Sequence, residues 1–179
     1  MKWKPPNVPG LTDGGSPRRR VPVASPIIST IGRLVGIYVA PRKAAEPQEA
    51  QQVTAVVGKG LEGDRYCEGQ GTFSKGDPSN EVTLIELEAI EALDRDYDIK
   101  LPPAETRRNL ITEGIALNHL VGRDFRVGAV SLRGLRLCEP CGHLEKLTVN
   151  GVERGLRHRG GLRAQVVSGG TMRVSDDVG

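Results

Sequence analysis

Glycine and proline cut the chain beyond about residue 29 into short runs of alternating polarity, and that punctuation commits it to a fold made mainly of β-strands. Ile31, Arg33, Val35, Ile37 and Val39 alternate with Leu34, Gly36 and Tyr38, the pattern of a strand partly covered on both faces. "QVTAVVG" predicts a second strand, stopped by Gly58 and Gly60, and the polar, glycine-rich "LEGDRYCEGQG" after it reads as a loop. "RRNLITEG" predicts a strand ending at Gly114, followed by a short helical turn in "ALNHLVG". "DFRVGAVSLRGLRLCEPC" reads as one long strand in two parts. Val130 and Leu132 share one parity and Leu135 and Leu137 the other, so Gly134 marks a β-bulge or tight bend. "LRAQVVSGGTMRV" predicts a last strand with a Gly-Gly turn.

Only "TLIELEAIEALDRDY" carries a helical repeat. Leu87, Ile90, Leu93 and Tyr97 recur at helix spacing, Glu88, Glu91 and Asp94 face water, and Thr83 with Glu86 matches a capping box. Pro102 and Pro103 follow its exit. That stripe is core packing and carries no chemistry. The whole predicts a mostly-β, barrel-like domain with one or two helices over residues 29–179, without internal repeat or second domain. Residues 1–28 hold Pro5, Pro6, Pro9, Pro17, Pro22 and Pro26 and are expected to form a loosely attached arm.

Aromatic residues make up only 3% of the 179, so the core has to be built from Val, Leu, Ile and Ala. No segment approaches the roughly 20 apolar residues of a membrane span, and the N-terminus lacks the apolar stretch of a signal peptide. Three cysteines, an odd number, beside a sizeable core point to a reducing cytoplasm. A net charge of +3 is too small to imply nucleic acid. Its distribution is more informative: from Glu105 onward eleven arginines and one lysine face eight carboxylates. Arginine is the side chain suited to gripping phosphate with two parallel hydrogen bonds.

Two of the cysteines lie in "LCEPCGHLEK". A closed zinc site needs four ligands, and beyond Cys138, Cys141 and the scattered His143 and Cys67 there is no second paired element. Gly142 spoils the haem-attachment spacing, a thioredoxin-like pair lacks its βαβ setting, and an iron–sulfur cluster needs about four thiolates. Cys138, at the end of an apolar strand, suits a buried inert residue. Cys141 follows Pro140 at a strand exit and precedes Gly142, which bends the chain and presents its sulfur at a rim. Candidates for anion binding surround it: Arg107 and Arg108 before a strand, then Arg154, Arg157, His158, Arg159 and Arg163 in "RGLRHRGGLRA".

The stretch "RRNLITEGIALNHLVGRDFRVGAVSLRGLRLCEPCGHLEK" resembles the central signature of the MOSC domain family, the domain at the C-terminus of molybdenum-cofactor sulfurases and in stand-alone proteins. "LEGDRY" resembles the family's Gly-Asp-Arg loop, with Tyr66 where a histidine often stands. "NEVTLIELEAIEAL" and "GGLRAQVVSGGTMRVSDDV" resemble its helix approach and closing strand. The likeness runs from Ile31 to Val178. It implies a β-barrel-like fold and puts the family cysteine at Cys141, as a ligand of the molybdenum of a pterin cofactor or as a carrier of persulfide sulfur. It also implies that Arg65, Arg107, Arg108, Asn109 and Thr112 lie near the cofactor. The arginines, with Arg157 and Arg159 of the basic loop, would hold its phosphate, and Asn109 and Thr112 would bond the pterin edge or shape the loop.

Some family members reduce N-hydroxylated compounds, so the expected activity is that of a reductase component acting on small N-oxygenated molecules. With no ferredoxin-like module or flavin motif, its electrons would come from a separate donor protein. The alternative is a sulfur carrier loaded by a cysteine desulfurase. Pyridoxal phosphate chemistry belongs to another domain of the sulfurases, and none of the seven lysines has a Schiff-base context. A third reading is a non-catalytic module whose basic loop docks on a partner protein.

Overall fold

The computed structural model describes residues 31–71 and 77–179; the arm expected for residues 1–28 lies outside the described residues. Eleven strands form among the described residues: β1 Gly32–Val39, β2 Gln48–Glu49, β3 Gln52–Val56, β4 Gly60–Leu61, β5 Val82–Glu86, β6 Leu110–Glu113, β7 Asp124–Val127, β8 Val130–Leu137, β9 Leu162–Ser168, β10 Gly170–Arg173 and β11 Asp177–Val178. The helices are α1 Leu87–Tyr97, α2 Gly142–Leu147 and α3 Val152–Gly155. The fold is therefore mostly β as expected, with three helices instead of one or two, the extra two being short pieces after Cys141.

Eight strands make one sheet in the order β11-β7-β8-β9-β5-β6-β1-β2, and β11 also pairs with β1. The ring thus closes only through a two-residue strand, barrel-like without being a clean barrel. A second sheet, β10-β3-β4, packs Val53, Ala55, Leu61 and Met172 into the same interior.

Every pairing in the large sheet is antiparallel except β5 with β6, which are parallel and joined through α1. Parallel strands need such a crossover, and it covers the sheet's outer face with a helix. Side-chain parity then divides the core in two. Leu84 and Leu110 point inward to join Leu34, Ile37, Leu132 and Leu162, while Ile85 and Ile111 point outward to meet Ile90 and Leu93 of α1 with Leu144, Val152 and Leu156.

This crossover corrects the capping-box reading. Val82–Ile85, buried on both faces, is strand and not helix start. Thr83 uses its hydroxyl on Asn109 of the neighbouring strand's approach, and α1 begins after Glu86 with no side-chain cap. Glu86 instead turns its carboxylate to the Leu117 amide (2.7 Å), and burial raises its pKa above the usual range.

Gly134 does sit at a register shift between β8 and β9, and a Cβ there would strike the Leu120 carbonyl. The long two-part strand, however, is a hairpin of β7 and β8 turning at Gly128, whose φ is +55°. Likewise "LRAQVVSGGTMRV" is two strands: β9 lies in the large sheet, and β10 leaves it to pair with β3. Gly-Gly here switches sheets and does not close a hairpin.

Gly161, at φ +106°, leads into β9 with its Cα against the Leu84 carbonyl, so a Cβ has no room. Gly161→Ala should destabilise the protein by about 3 kcal/mol or more, read as a fall of about 10 °C in Tm; an unchanged Tm would contradict this packing. Glu86 gives a pH signature. Its raised folded pKa means stability is held below the ordinary carboxylate range and lost as pH rises through the folded pKa. Glu86→Gln, which keeps the acceptor for Leu117, should raise Tm at pH 7 and leave it unchanged near pH 3.

Candidate functional site

Where β5 and β6 begin, β8 ends and β9 begins, the sheet opens into a cleft of about 490 Å³. Arg65, Arg107, Arg108, Arg136 and Arg163 line it with His143, against the two carboxylates of Asp77 and Glu139; Tyr66, Leu137, Pro140 and Leu144 supply apolar wall. Among the described residues, five guanidinium groups facing two carboxylates make this a place where an anion is stabilised.

Arg108 is the centre of it. Its residue is 8% exposed, and its guanidinium donates to three carbonyls: Nε to Gly160 (2.9 Å), Nη1 to Thr106 (3.1 Å) and Nη2 to Cys138 (2.9 Å). Among the described residues no carboxylate pairs with it. A guanidinium has five N–H groups, so donors remain after the three carbonyls are served. A buried cation partnered only by neutral dipoles keeps an electrostatic demand that an anionic ligand would meet.

Arg107 takes a left-handed backbone (φ +59°) as the turn Pro103–Thr106 ends, and its Nη2 donates to Ala45 (3.1 Å). Burial, and then the neighbouring Arg65 cation, lowers its pKa from the usual guanidinium value. Arg65 lies 5.0 Å over the Tyr66 ring and donates to Asp64 (3.4 Å). Asp64 is the carboxylate these two cations share, and its charge opposes the lowering of the Arg107 pKa.

The loops that carry these arginines are locked from behind. Asp64, 1% exposed, accepts hydrogen bonds from the amides of Ala40 and Tyr66 (both 3.1 Å) and from Nδ2 of Asn109 (3.2 Å). Asn109 Nδ2 also donates to the Tyr38 carbonyl, and its Oδ1 accepts from the amide and hydroxyl of Thr83 (3.1 and 2.8 Å). Every polar atom of the Asn109 side chain is therefore committed inside the protein. Asn109 positions the wall and does not line the cleft, and Thr112, fully buried with its hydroxyl on the Ile85 carbonyl, lies in the core. Neither is brought to where a pterin edge could bond it.

The two cysteines part as their settings suggested. Cys138 is 1% exposed, its amide bonded to the Gly161 carbonyl (2.7 Å). Cys141 is exposed at the cleft rim in extended backbone, and its carbonyl accepts from Leu144 and Glu145 as α2 begins. Both thiols are free.

Arg157 and Arg159 are not in the cleft. Arg159 is held on the far side of α3: its Nε donates to Gly155 (2.8 Å), its head reaches Asp96 (3.3 Å), and it lies 5.8 Å from the Tyr97 ring. Arg157 is exposed outside the cleft. The loop is turned outward by His158 (φ +63°), whose amide and ring bond Glu139. Arg163 does reach the cleft, from within β9. Arg136 and Asp77, which the motifs left unassigned, also line it; an isolated arginine on a strand and an aspartate in a turn carry no spacing signal. Asp77 has its pKa lowered, first by the Ser79 amide and hydroxyl and also by Arg136 and Arg163.

The MOSC domain model matches residues 71–179, more than half of the chain, and the chain belongs to the MOSC domain family. Its fold is similar to the crystal structure of the YuaD protein from Bacillus subtilis, with a TM-score of 0.70 at 15% identity over 83% of this chain and 94% of that one. It is also similar to YiiM from Geobacillus stearothermophilus (TM-score 0.63, 12% identity, 82% of this chain and 73% of that one). YiiM from Escherichia coli gives 0.59 at 17% identity, over 82% and 68%. The chain matches no curated protein sequence. At these identities the likeness establishes the shared fold. No helix among the described residues is long and apolar enough to cross a membrane.

Replacing Asn109 by alanine strands the Thr83 and Asp64 groups it satisfies. The loss of stability should be about 2–3 kcal/mol by urea unfolding; a loss below about 0.5 kcal/mol would mean the lock is not structural.

Proposed function

We propose that the cleft binds a molybdenum pterin cofactor through its phosphate and through the Cys141 thiolate, and that the protein is the reductase component of a system acting on N-oxygenated small molecules. The observation that carries this reading is the pairing, in one cleft, of an exposed thiol with a buried arginine that no described carboxylate neutralises. The donor set fits such a group. Among the described residues no cluster of three or more His, Cys, Asp or Glu could hold a bare metal ion. A metal that arrives already chelated by an organic ligand needs only one further soft donor, and a thiolate is that donor.

The chain's own groups divide the work. Arg108, fixed by three carbonyls, and Arg107 and Arg65, set by Ala45 and Asp64, would hold the anionic end of the cofactor. Tyr66, Leu137 and Leu144 would shield its body from water, and Cys141 would orient the metal at the rim, where substrate enters. When bound, the cofactor would supply a metal able to change oxidation state by two electrons as oxygen leaves nitrogen. The electrons would come from a separate donor protein.

The exposure of Cys141 also supports a second reading, in which a desulfurase reaches the thiol and leaves a sulfane sulfur on it. One experiment separates the two. Protein made in a host that synthesises the cofactor should carry near-stoichiometric molybdenum, and Cys141→Ser should lose most of it. Molybdenum far below stoichiometry in both would refute the cofactor reading. A mass gain of one sulfur atom on Cys141 after incubation with a desulfurase and cysteine would then favour the carrier.

A further inference from the structure

The cleft has more cationic surface than one phosphate needs, and the surplus is arranged as a pair. Arg136 and Arg163 are direct cross-strand partners in the β8–β9 ladder. Like charges at opposed positions destabilise a sheet, yet both side chains reach the same cleft. Their heads are held on one short turn, Pro78–Asn80: Arg136 Nη2 donates to Ser79 Oγ (3.1 Å), and Arg163 Nη1 donates to the Ser79 carbonyl (3.2 Å) and to Asn80 Oδ1 (2.7 Å). These acceptors are neutral. Among the described residues the carboxylate they act on is Asp77, one negative charge against two positive, and its own oxygen already accepts the Ser79 amide (2.9 Å). Ten N–H groups on two guanidiniums exceed three acceptors, so donors remain.

This pair is anchored apart from Arg65 and Arg107 of the first cationic wall. In the sheet order, β8 and β9 lie on one side of β5, whereas Arg107 and Arg108 precede β6 on the other, and Arg65 is tied by its amide to Ala40 beyond β1. The heads are anchored on different loops, at Ser79 and Asn80 for the pair and at Asp64 and Ala45 for Arg65 and Arg107, while Arg108 is held between them at Gly160 and Cys138.

We infer that Arg136 and Arg163 form a second anion subsite that selects substrates bearing a carboxylate or phosphate beside their reducible nitrogen. This rests on the cofactor reading only for the word substrate; the subsite itself is a property of the chain. An anionic group would meet two guanidiniums already drawn to one turn, which lowers the side-chain entropy lost on binding.

The test measures binding to the purified protein by calorimetry, using 4-hydroxylaminobenzoate and its neutral counterpart phenylhydroxylamine, with 4-aminobenzoate and aniline as the unreactive pair. The carboxylates should bind at least about tenfold more tightly, and Arg136→Gln and Arg163→Gln should each reduce that ratio toward one. Thermal melts confirm folding, and Arg163→Lys, which keeps the charge, should retain part of the preference. No preference in the wild type, or a preference that survives both substitutions, overturns the inference. Loss of molybdenum in the same two variants would also overturn it, because the pair would then belong to the cofactor. If instead the wild type holds no molybdenum but the carboxylate preference tracks the pair, the subsite stands and the cofactor reading fails.

Discussion

Arg108 is a cation withdrawn from water and given three backbone carbonyls in place of a counterion. Those carbonyls belong to three separate segments: the turn before β6, the exit of β8 and the approach to β9. One side chain therefore fastens the loops that form the cleft, and it sets where Cys138 stops and where the chain turns towards Cys141. The arrangement is sustainable because the guanidinium's fixed fork spreads its donors over three nitrogens and so reaches carbonyls on separate segments, whereas a lysine gathers its three donors on one. It leaves the charge itself uncompensated by any described carboxylate, and that is the physical root of the functional reading.

Behind Arg108 stands a second, quieter constraint. Asn109, Thr83 and Asp64 form a closed set of hydrogen bonds linking β5, the approach to β6, the end of β1 and the loop after β4. Among the described residues no buried side-chain polar atom is left without a partner. The parallel β5–α1–β6 unit matters here for the same reason. It brings the start of β5 beside the start of β6, so that Thr83 and Asn109 meet and Arg107 and Arg108 are delivered to the cleft together.

Much of this was legible in the sequence, for identifiable reasons. Period-two alternation exposed β1 and β3, and the parity change at Gly134 exposed a bulge, because those signals are local. The start of α1 was misplaced because Val82–Ile85 is buried on both faces, and a continuous apolar run reads alike in strand and helix. For the site, position in a turn separated Cys141 from Cys138. The basic loop misled, since arginines between glycines look alike whether they turn inward or are captured outside, as Arg159 is by Asp96 and Tyr97. Asn109 and Thr112 sit within a motif, but motif membership does not distinguish a residue that touches a ligand from one that holds the wall. Arg136 gave no signal because only its partner in the ladder gives it meaning.

The central claim is that the exposed thiol and the uncompensated arginine serve one ligand. Anomalous diffraction at the molybdenum edge, from crystals of protein made in a cofactor-producing host, tests it most directly. The account predicts a single anomalous peak at bonding distance from Cys141 Sγ, with continuous density running on to the Arg108 guanidinium. A peak elsewhere on the molecule, or density at Arg108 that never reaches the thiol, would contradict it.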